Sequence, residues 1–394
     1  MTAIVDDLSP AESGGLSRAR RAERVARIEQ LVRLRNSLDA EIAAEVREFA
    51  LEEVEARLEE VVVAPERVEA GIVAQLGLAL RVSPTRARVQ LRLARDLRAG
   101  LDRVRDAFAA GDLDERKVAA IVAAAAHLGP DQRAEVDRRL SERDLSAFGH
   151  RRVADLARSI VAAVAPERFA ERARAARADR HVSIRPLEDG MVRLSAVLPV
   201  EQGVACYAAL RRAVVEHWVD PDPVTRTRGQ VMADTLVERL TGLDAAAPVA
   251  VEIQVLVPVE ALLDPQAPLP AEIPGYGPTD LLDRAVVAGW RRLVTQDGIV
   301  VGGDSRRRAF TGVLADLVRI RDRGRCGEVG CDAPIRHLDH VARWSDGGPT
   351  SLGNGRGVCV FHNLVREQPG WRVESRGGTR TTTTPSGRRY ALRL

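Results

Sequence analysis

The chain has 394 residues, 59 of them basic and 56 acidic, with 45% apolar residues and four cysteines. That length makes two or three domains, and that apolar content excludes global disorder. The formal net charge is only +3, so charge speaks about partners through its placement rather than its total.

In chain order, Met1–Gly15 is small and polar and reads as disordered. From about Leu16 to Thr241 the pattern is helical, dense in Ala, Leu, Arg and Glu. Helix breaks fall at Ala64-Pro65, Ser83-Pro84, Gly111-Asp112, Gly129-Pro130, Gly149 and Ala165-Pro166, with Ser83 as an N-cap before proline. Ile72–Arg98 reads as helix, turn and Arg-rich helix: a DNA-binding helix-turn-helix, or an ordinary αα-hairpin within a bundle, which the acidic surroundings favour. His181–Pro186 and Met191–Leu198 alternate polar and apolar around Glu188-Asp189-Gly190, the pattern of a β-hairpin. Helices follow over Val200–Trp218 and Thr225–Leu240. Val249–Val257 reads as a strand and proline-rich Leu263–Pro278 as a loop. Leu281–Leu293 and Thr311–Asp322 read as short helices, and Trp371–Leu394 as a closing hairpin. The expected class is therefore mainly α, with a helical domain over 16–300 and a small C-terminal domain over 305–394.

Of the basic residues, 58 are Arg and one, Lys117, is Lys. Guanidinium forks match phosphate oxygens, but GC-rich codon usage explains the same bias. Placement is more telling: Ser305–Leu394 holds 17 Arg against 8 Asp and Glu, while the rest of the chain is net acidic. A basic C-terminal domain on an acidic body suits a local polyanion site. In the helical half the longest uncharged run, Val118–Pro130, has 13 residues, short of a membrane span. The N-terminus lacks the features of a secretory signal, which makes the cytoplasm the expected compartment.

Three cysteines and three histidines fall within Cys326–His362. Cys206 lies apart in an Ala-rich helical stretch and reads as a small buried hydrophobe. Cys326-x4-Cys331 and Cys359-x2-His362 form two close pairs across a 27-residue loop, the spacing by which a chain wraps tetrahedral Zn²⁺. Four protein ligands make such a zinc structural; the bland alternative is scattered reduced cysteines.

Inside that loop stand His337-Leu-Asp339-His340, then Gly347-Gly-Pro-Thr-Ser-Leu-Gly-Asn354, then Cys359-Val-Phe-His362-Asn363. Over about Arg321–Trp371 this resembles the HNH endonucleases, members of the ββα-metal nucleases. The resemblance implies a zinc-stapled ββα-metal fold and hydrolysis of DNA, in all expectation double-stranded. It implies His340 as the general base, Asp339 and Asn363 as ligands of a catalytic Mg²⁺ or Mn²⁺, and Asn354 as the residue holding the catalytic loop. Asn363 stands where the family usually has His, giving His-Asn-Asn. A swapped assignment would put His362 on the catalytic metal and His337 in the zinc site. Arg321, Arg323, Arg325 and Arg343 are candidate phosphate contacts, with a solvated face as the plain alternative for the arginines before Cys326. Upstream, Gly111-Asp-Leu-Asp-Glu-Arg-Lys-Val, Val197-Leu-Pro-Val-Glu-Gln-Gly and Gly275-Tyr-Gly-Pro resemble the helical domain of unknown function that precedes HNH modules in actinobacterial proteins. That region is expected to serve substrate recognition or homo-oligomerisation. The rival to a nuclease is a non-catalytic zinc module that binds nucleic acid or a protein.

Overall fold

The computed structural model describes residues 18–60, 64–187, 191–219, 226–242 and 308–393, and five short strand segments between 271 and 305. The expectations for 1–15, for a strand at 249–257 and for a helix at 281–293 lie outside the described residues.

The described chain is mainly helical. Helix α1 (Arg18–Glu60) is followed by α2 (Pro65–Leu80), α3 (Pro84–Asp96), α4 (Asp102–Ala109), α5 (Glu115–Ala125), α6 (Pro130–Ser141), α7 (His150–Val164) and α8 (Pro166–Ala176). The sequence breaks coincide with these ends. Proline opens α2, α3, α6 and α8, where its missing N–H costs nothing. The Ser83 hydroxyl accepts from Arg86 N and caps α3. Facing apolar stripes from α1–α7 build one core, with Val73, Leu93, Leu101, Phe108, Ile121 and Leu140 nearly inaccessible. Stretch 72–98 is therefore an αα-hairpin inside the bundle, with α3 packed on α1, α2 and α5.

Strands β1 (His181–Pro186) and β2 (Val192–Val197) pair antiparallel, His181 opposite Val197. Helices α9 (Val200–Val219) and α10 (Arg228–Thr241) pack on each other. Cys206, on α9, is exposed rather than buried. The Ala-rich stretch suggests burial, but among the described residues of α9 only Val214 is enclosed. Within the expected loop 263–278, Ala271–Ile273 pairs with Gly277–Thr279.

The C-terminal domain starts with α11 (Gly312–Arg321). Strand β3 (His337–His340) then pairs antiparallel with β4 (Gly355–Val358), and α12 (Val360–Val365) follows at once. The tail is a three-stranded sheet, β5 (Arg372–Arg376), β6 (Thr379–Thr383) and β7 (Arg389–Arg393), one strand more than the expected hairpin. Gly377 and Gly378, both at positive φ, make the tight turn between its first two strands.

The two parts share an apolar contact rimmed by hydrogen bonds. Ala74 and Leu78 of α2 pack with Val365 and Trp371. Around them Gln368 Nε2 donates to Arg67 O (2.9 Å), Ser386 Oγ donates to Gln75 Oε1 (2.6 Å), and the Arg88 guanidinium stacks on Phe361 at 4.7 Å. Gly330, at φ +72°, lies so close to the Arg81 turn that a Cβ there would meet Arg81 C at 2.7 Å. The helical domain thus sits directly on the segments that carry the cysteines.

Candidate functional site

Cys326, Cys331, Cys359 and His362 come together with their ligand atoms all within 4.8 Å of one another, and all four are buried. The cluster could hold a metal ion. Two local features build it. The first pair lies on a turn in which Cys331 N donates to Glu328 O (3.1 Å) while Cys326 N donates to Ala333 O (2.8 Å). The second lies at the start of α12, where Cys359 is the N-cap and its Sγ faces the His362 amide (3.5 Å). His362 Nδ1 lies 3.4 Å from both Cys326 Sγ and Cys359 Sγ. Hydrogen bonding among the sulfurs pushes the Cys326 thiol up and the Cys359 thiol down. Burial pulls the His362 imidazole down, but Cys331 and Cys359 outweigh it and lift it to about 9. His337 lies exposed on β3, away from the cluster, so the swapped assignment finds no support.

His340 ends β3 and is 8% exposed. Its ring packs between Phe310 (4.6 Å) and Trp344 (5.9 Å). Nε2 lies 2.8 Å from Thr350 Oγ1, and that hydroxyl donates to Arg308 O at 3.3 Å. With its one proton directed at a carbonyl, the hydroxyl accepts from Nε2–H, which leaves the Nδ1 lone pair as the basic site. Burial holds the imidazole below its ordinary value, opposed by Asp339 and assisted by Arg366 and Arg308. Burial thus favours the neutral ring. Thr350 is the residue that sequence reasoning passed over; the one available signal was its place in the Gly-Gly-Pro-Thr-Ser-Leu loop.

Asn354 pins the loop that leaves β3. Its Oδ1 accepts from Ala342 N (2.7 Å), and its Nδ2 donates to Ala342 O (3.0 Å) and Pro349 O (2.7 Å). Asn363 is half-buried on the first turn of α12, its amide bonded to Cys359 O (3.1 Å).

Asp339 is placed differently from the expectation of an open metal ligand. Its Oδ2 accepts from Arg356 Nε (3.1 Å) and Nη2 (3.0 Å) and from Arg366 Nη1, and its Oδ1 accepts from His340 N (2.8 Å). Burial pushes this carboxyl up, but the two guanidinium groups outweigh it and hold it below the usual range. Arg366 also donates to His340 O and Val341 O, so it ties the carboxylate to the strand end.

The phosphate candidates separate clearly. Arg321 is an internal strut, with Nη1 on Leu352 O (2.5 Å), Nη2 on Gly355 O (2.7 Å) and Nε on Asp322 (2.9 Å). Arg325 donates to Asp332 O (2.9 Å), and Arg343 bridges Glu367 (2.5 Å) and Arg366 O (2.9 Å). Arg323 is exposed, in a left-handed turn at φ +50°.

A family model described as a domain of unknown function, DUF222, matches residues 25–258. The chain belongs to this family. The DUF222 stretch covers the helical bundle, the β1–β2 hairpin and α9–α10, and it ends before the cysteine–histidine cluster and the His340 site. No curated protein and no solved structure matches the chain. No described helix is long and apolar enough to cross a membrane.

Proposed function

We propose that this chain is an endonuclease of the HNH type, hydrolysing DNA phosphodiesters at His340, with a structural Zn²⁺ on Cys326, Cys331, Cys359 and His362. The observation that carries the reading is the placement of His340, its Nε2 held 2.8 Å from Thr350 Oγ1, at the end of the first strand of a β3–β4–α12 unit. Tetrahedral zinc, with sulfur at about 2.3 Å and nitrogen at about 2.0 Å, separates a sulfur from a nitrogen ligand by about 3.5 Å. The 3.4 Å spacings here suit it.

His340 Nδ1 takes a proton from water as that water attacks phosphorus; the opposite P–O ester bond breaks, its alkoxide takes a proton from solvent, and Thr350 holds the ring by the opposite nitrogen. Asn354 fixes the loop that positions both. Exposed Arg308 and Arg323 offer charge to the phosphate backbone. A catalytic divalent cation belongs to the reading, but the donors fit it poorly as arranged. Two guanidinium groups already neutralise Asp339, and His340 and Asn363 add no charge. No step is assigned to that cation.

Plasmid incubated with the purified protein and Mg²⁺ or Mn²⁺ should be nicked, and His340→Ala should nick at least about a hundredfold more slowly. Equal nicking by both proteins, or none under any metal, overturns the assignment. The arginine clamp on Asp339 favours one rival: a zinc module that binds DNA without cutting. DNA binding that survives His340→Ala in a chain that never cleaves would establish that rival.

A further inference from the structure

Helix α1 runs 43 residues, about 64 Å; residues 20–35 are all exposed, and among them Arg33 ties the helix to the rest of the bundle by pairing with Asp112 (3.0 Å). Along one face a heptad spacing of 3 and 4 picks out three blocks. Arg20, Arg24 and Arg27 come first, then Leu31, Leu34 and Leu38, then a Glu at each of 41, 45, 48, 52 and 55. Every one of these positions is exposed, the three leucines at 47%, 56% and 48%. The core face of the same helix, with Asn36, Ala43 and Val46, is a different stripe. Core packing therefore leaves this basic–apolar–acidic face uncovered.

We propose that this face pairs with the same face of a second copy of the chain, as an antiparallel two-stranded coiled coil. Such a pair is isologous, so one stripe must complement itself when reversed. This one does along its charged blocks: with Leu34 set against the partner's Leu38, the heptad places Arg27 opposite the partner's Glu45, Arg24 opposite the partner's Glu48 and Arg20 opposite the partner's Glu52, the one mismatch being Leu31 opposite the partner's Glu41. The two-fold axis repeats each pair. A parallel pair would set arginine on arginine and glutamate on glutamate. A nucleic acid fits worse, because leucines and then glutamates continue the line of the arginines, and phosphates are repelled by that second block. The inference stands apart from the nuclease reading, since none of the stripe residues belongs to the candidate site.

The test is sedimentation equilibrium of the full chain across the micromolar range. The parent should sediment at twice its chain mass. Arg24→Glu with Arg27→Glu should weaken association by about tenfold or more, as four attractive contacts become repulsive. Adding Glu45→Arg and Glu48→Arg to that chain should restore it, because each position again faces the opposite sign. Leu34→Ser with Leu38→Ser should leave the single-chain mass, with the far-UV dichroism of the bundle kept. A parent at single-chain mass, a dimer indifferent to these changes, or no restoration by the charge swap overturns the proposal. A single-chain protein whose Arg24→Glu, Arg27→Glu variant loses DNA affinity would assign the helix to nucleic acid instead.

Discussion

Arg356 offers the most direct test of how the C-terminal domain is held together. Its side chain is fully buried and pairs with Asp339 (3.0 Å) and Glu328 (3.5 Å), themselves 20% and 6% exposed. Arg356→Met keeps most of the volume and removes the charge. Asp339 retains Arg366, while Glu328 keeps hydrogen bonds from neutral groups alone, the Thr382 hydroxyl (2.7 Å) and the Val329 amide (3.3 Å), with the Arg380 charge nearby. Removing one member of a buried ion pair costs about 3–5 kcal/mol, because the other charge stays dehydrated. For a domain of this size that lowers Tm by roughly 12 °C or more. Urea unfolding at pH 7.5, followed by the near-UV signal of Trp371, measures the loss. Glu328→Gln added to the same chain should recover at least half of it, since the stranded charge is then gone. The sign with pH follows from Asp339. Its folded value is depressed, so its contribution is present above the unfolded value and is lost as pH falls through the folded one. Arg356→Met weakens that depression, so the gap between variant and parent narrows below about pH 4. A cost under about 1 kcal/mol, or a double variant as unstable as the two losses added, would refute the reasoning.

Three further outcomes are expected. Cys359→Ser should lose the bound metal, read by elemental analysis against chain concentration, and should melt the C-terminal domain, because metal binding supplies its folding free energy; one zinc per chain retained would remove Cys359 from the ligand set. Leu78→Ala, at a 1% exposed position between the domains, should cost about 2–4 kcal/mol in urea unfolding, and a cost below about 1 kcal/mol would mean the interface is loose. If cleavage is found, its acid limb should lie below the ordinary imidazole value of about 6.5, since His340 is depressed, and Thr350→Val should lower kcat with little change in KM while moving that limb; a profile unmoved by Thr350→Val would show that Thr350 does not position the base.

What the sequence disclosed depended on whether the cause was local. Proline and glycine act within one turn, so the starts of α2, α3, α6 and α8 were legible residue by residue. The two cysteine–histidine pairs were legible because knuckle spacing is a property of short stretches, and the spacing of Cys326, Cys331, Cys359 and His362 pointed to the cluster the structure assembles. The fate of Asp339 was not legible. Arg356 lies 17 residues away and Arg366 27, and nothing local tells that both guanidinium groups turn inward to one carboxylate. The surroundings of Arg321 were hidden for the same reason: an arginine before a cysteine pair looks like a phosphate contact, and its partners within the chain, Leu352 O and Gly355 O, are brought by the fold. Cys206 failed in the other direction, since an Ala-rich helix predicts a buried face only where something packs against it.

The buried charges explain why these parts are one unit. Arg321, Arg356, Arg366 and Arg380 are each at most 14% exposed in their side chains, and the acids among them are Asp322, Glu328 and Asp339. Four cations against three anions leave an excess of one positive charge in a dehydrated interior, which burial penalises; Arg380 is pulled down to about 10 by that burial. Three thiolates around a divalent ion would carry one net negative charge and would close the balance. The contact is short-range. Gly327, next to Cys326, donates its amide to Gly357 O of β4 (2.8 Å), and its carbonyl accepts from Arg380 (3.1 Å). Glu328, within the first ligand loop, reaches Arg356, which holds Asp339 beside His340. Loss of a metal bound there would therefore unbalance the arginine network as well as the knuckles, and the disturbance would end at the strand that carries the candidate base.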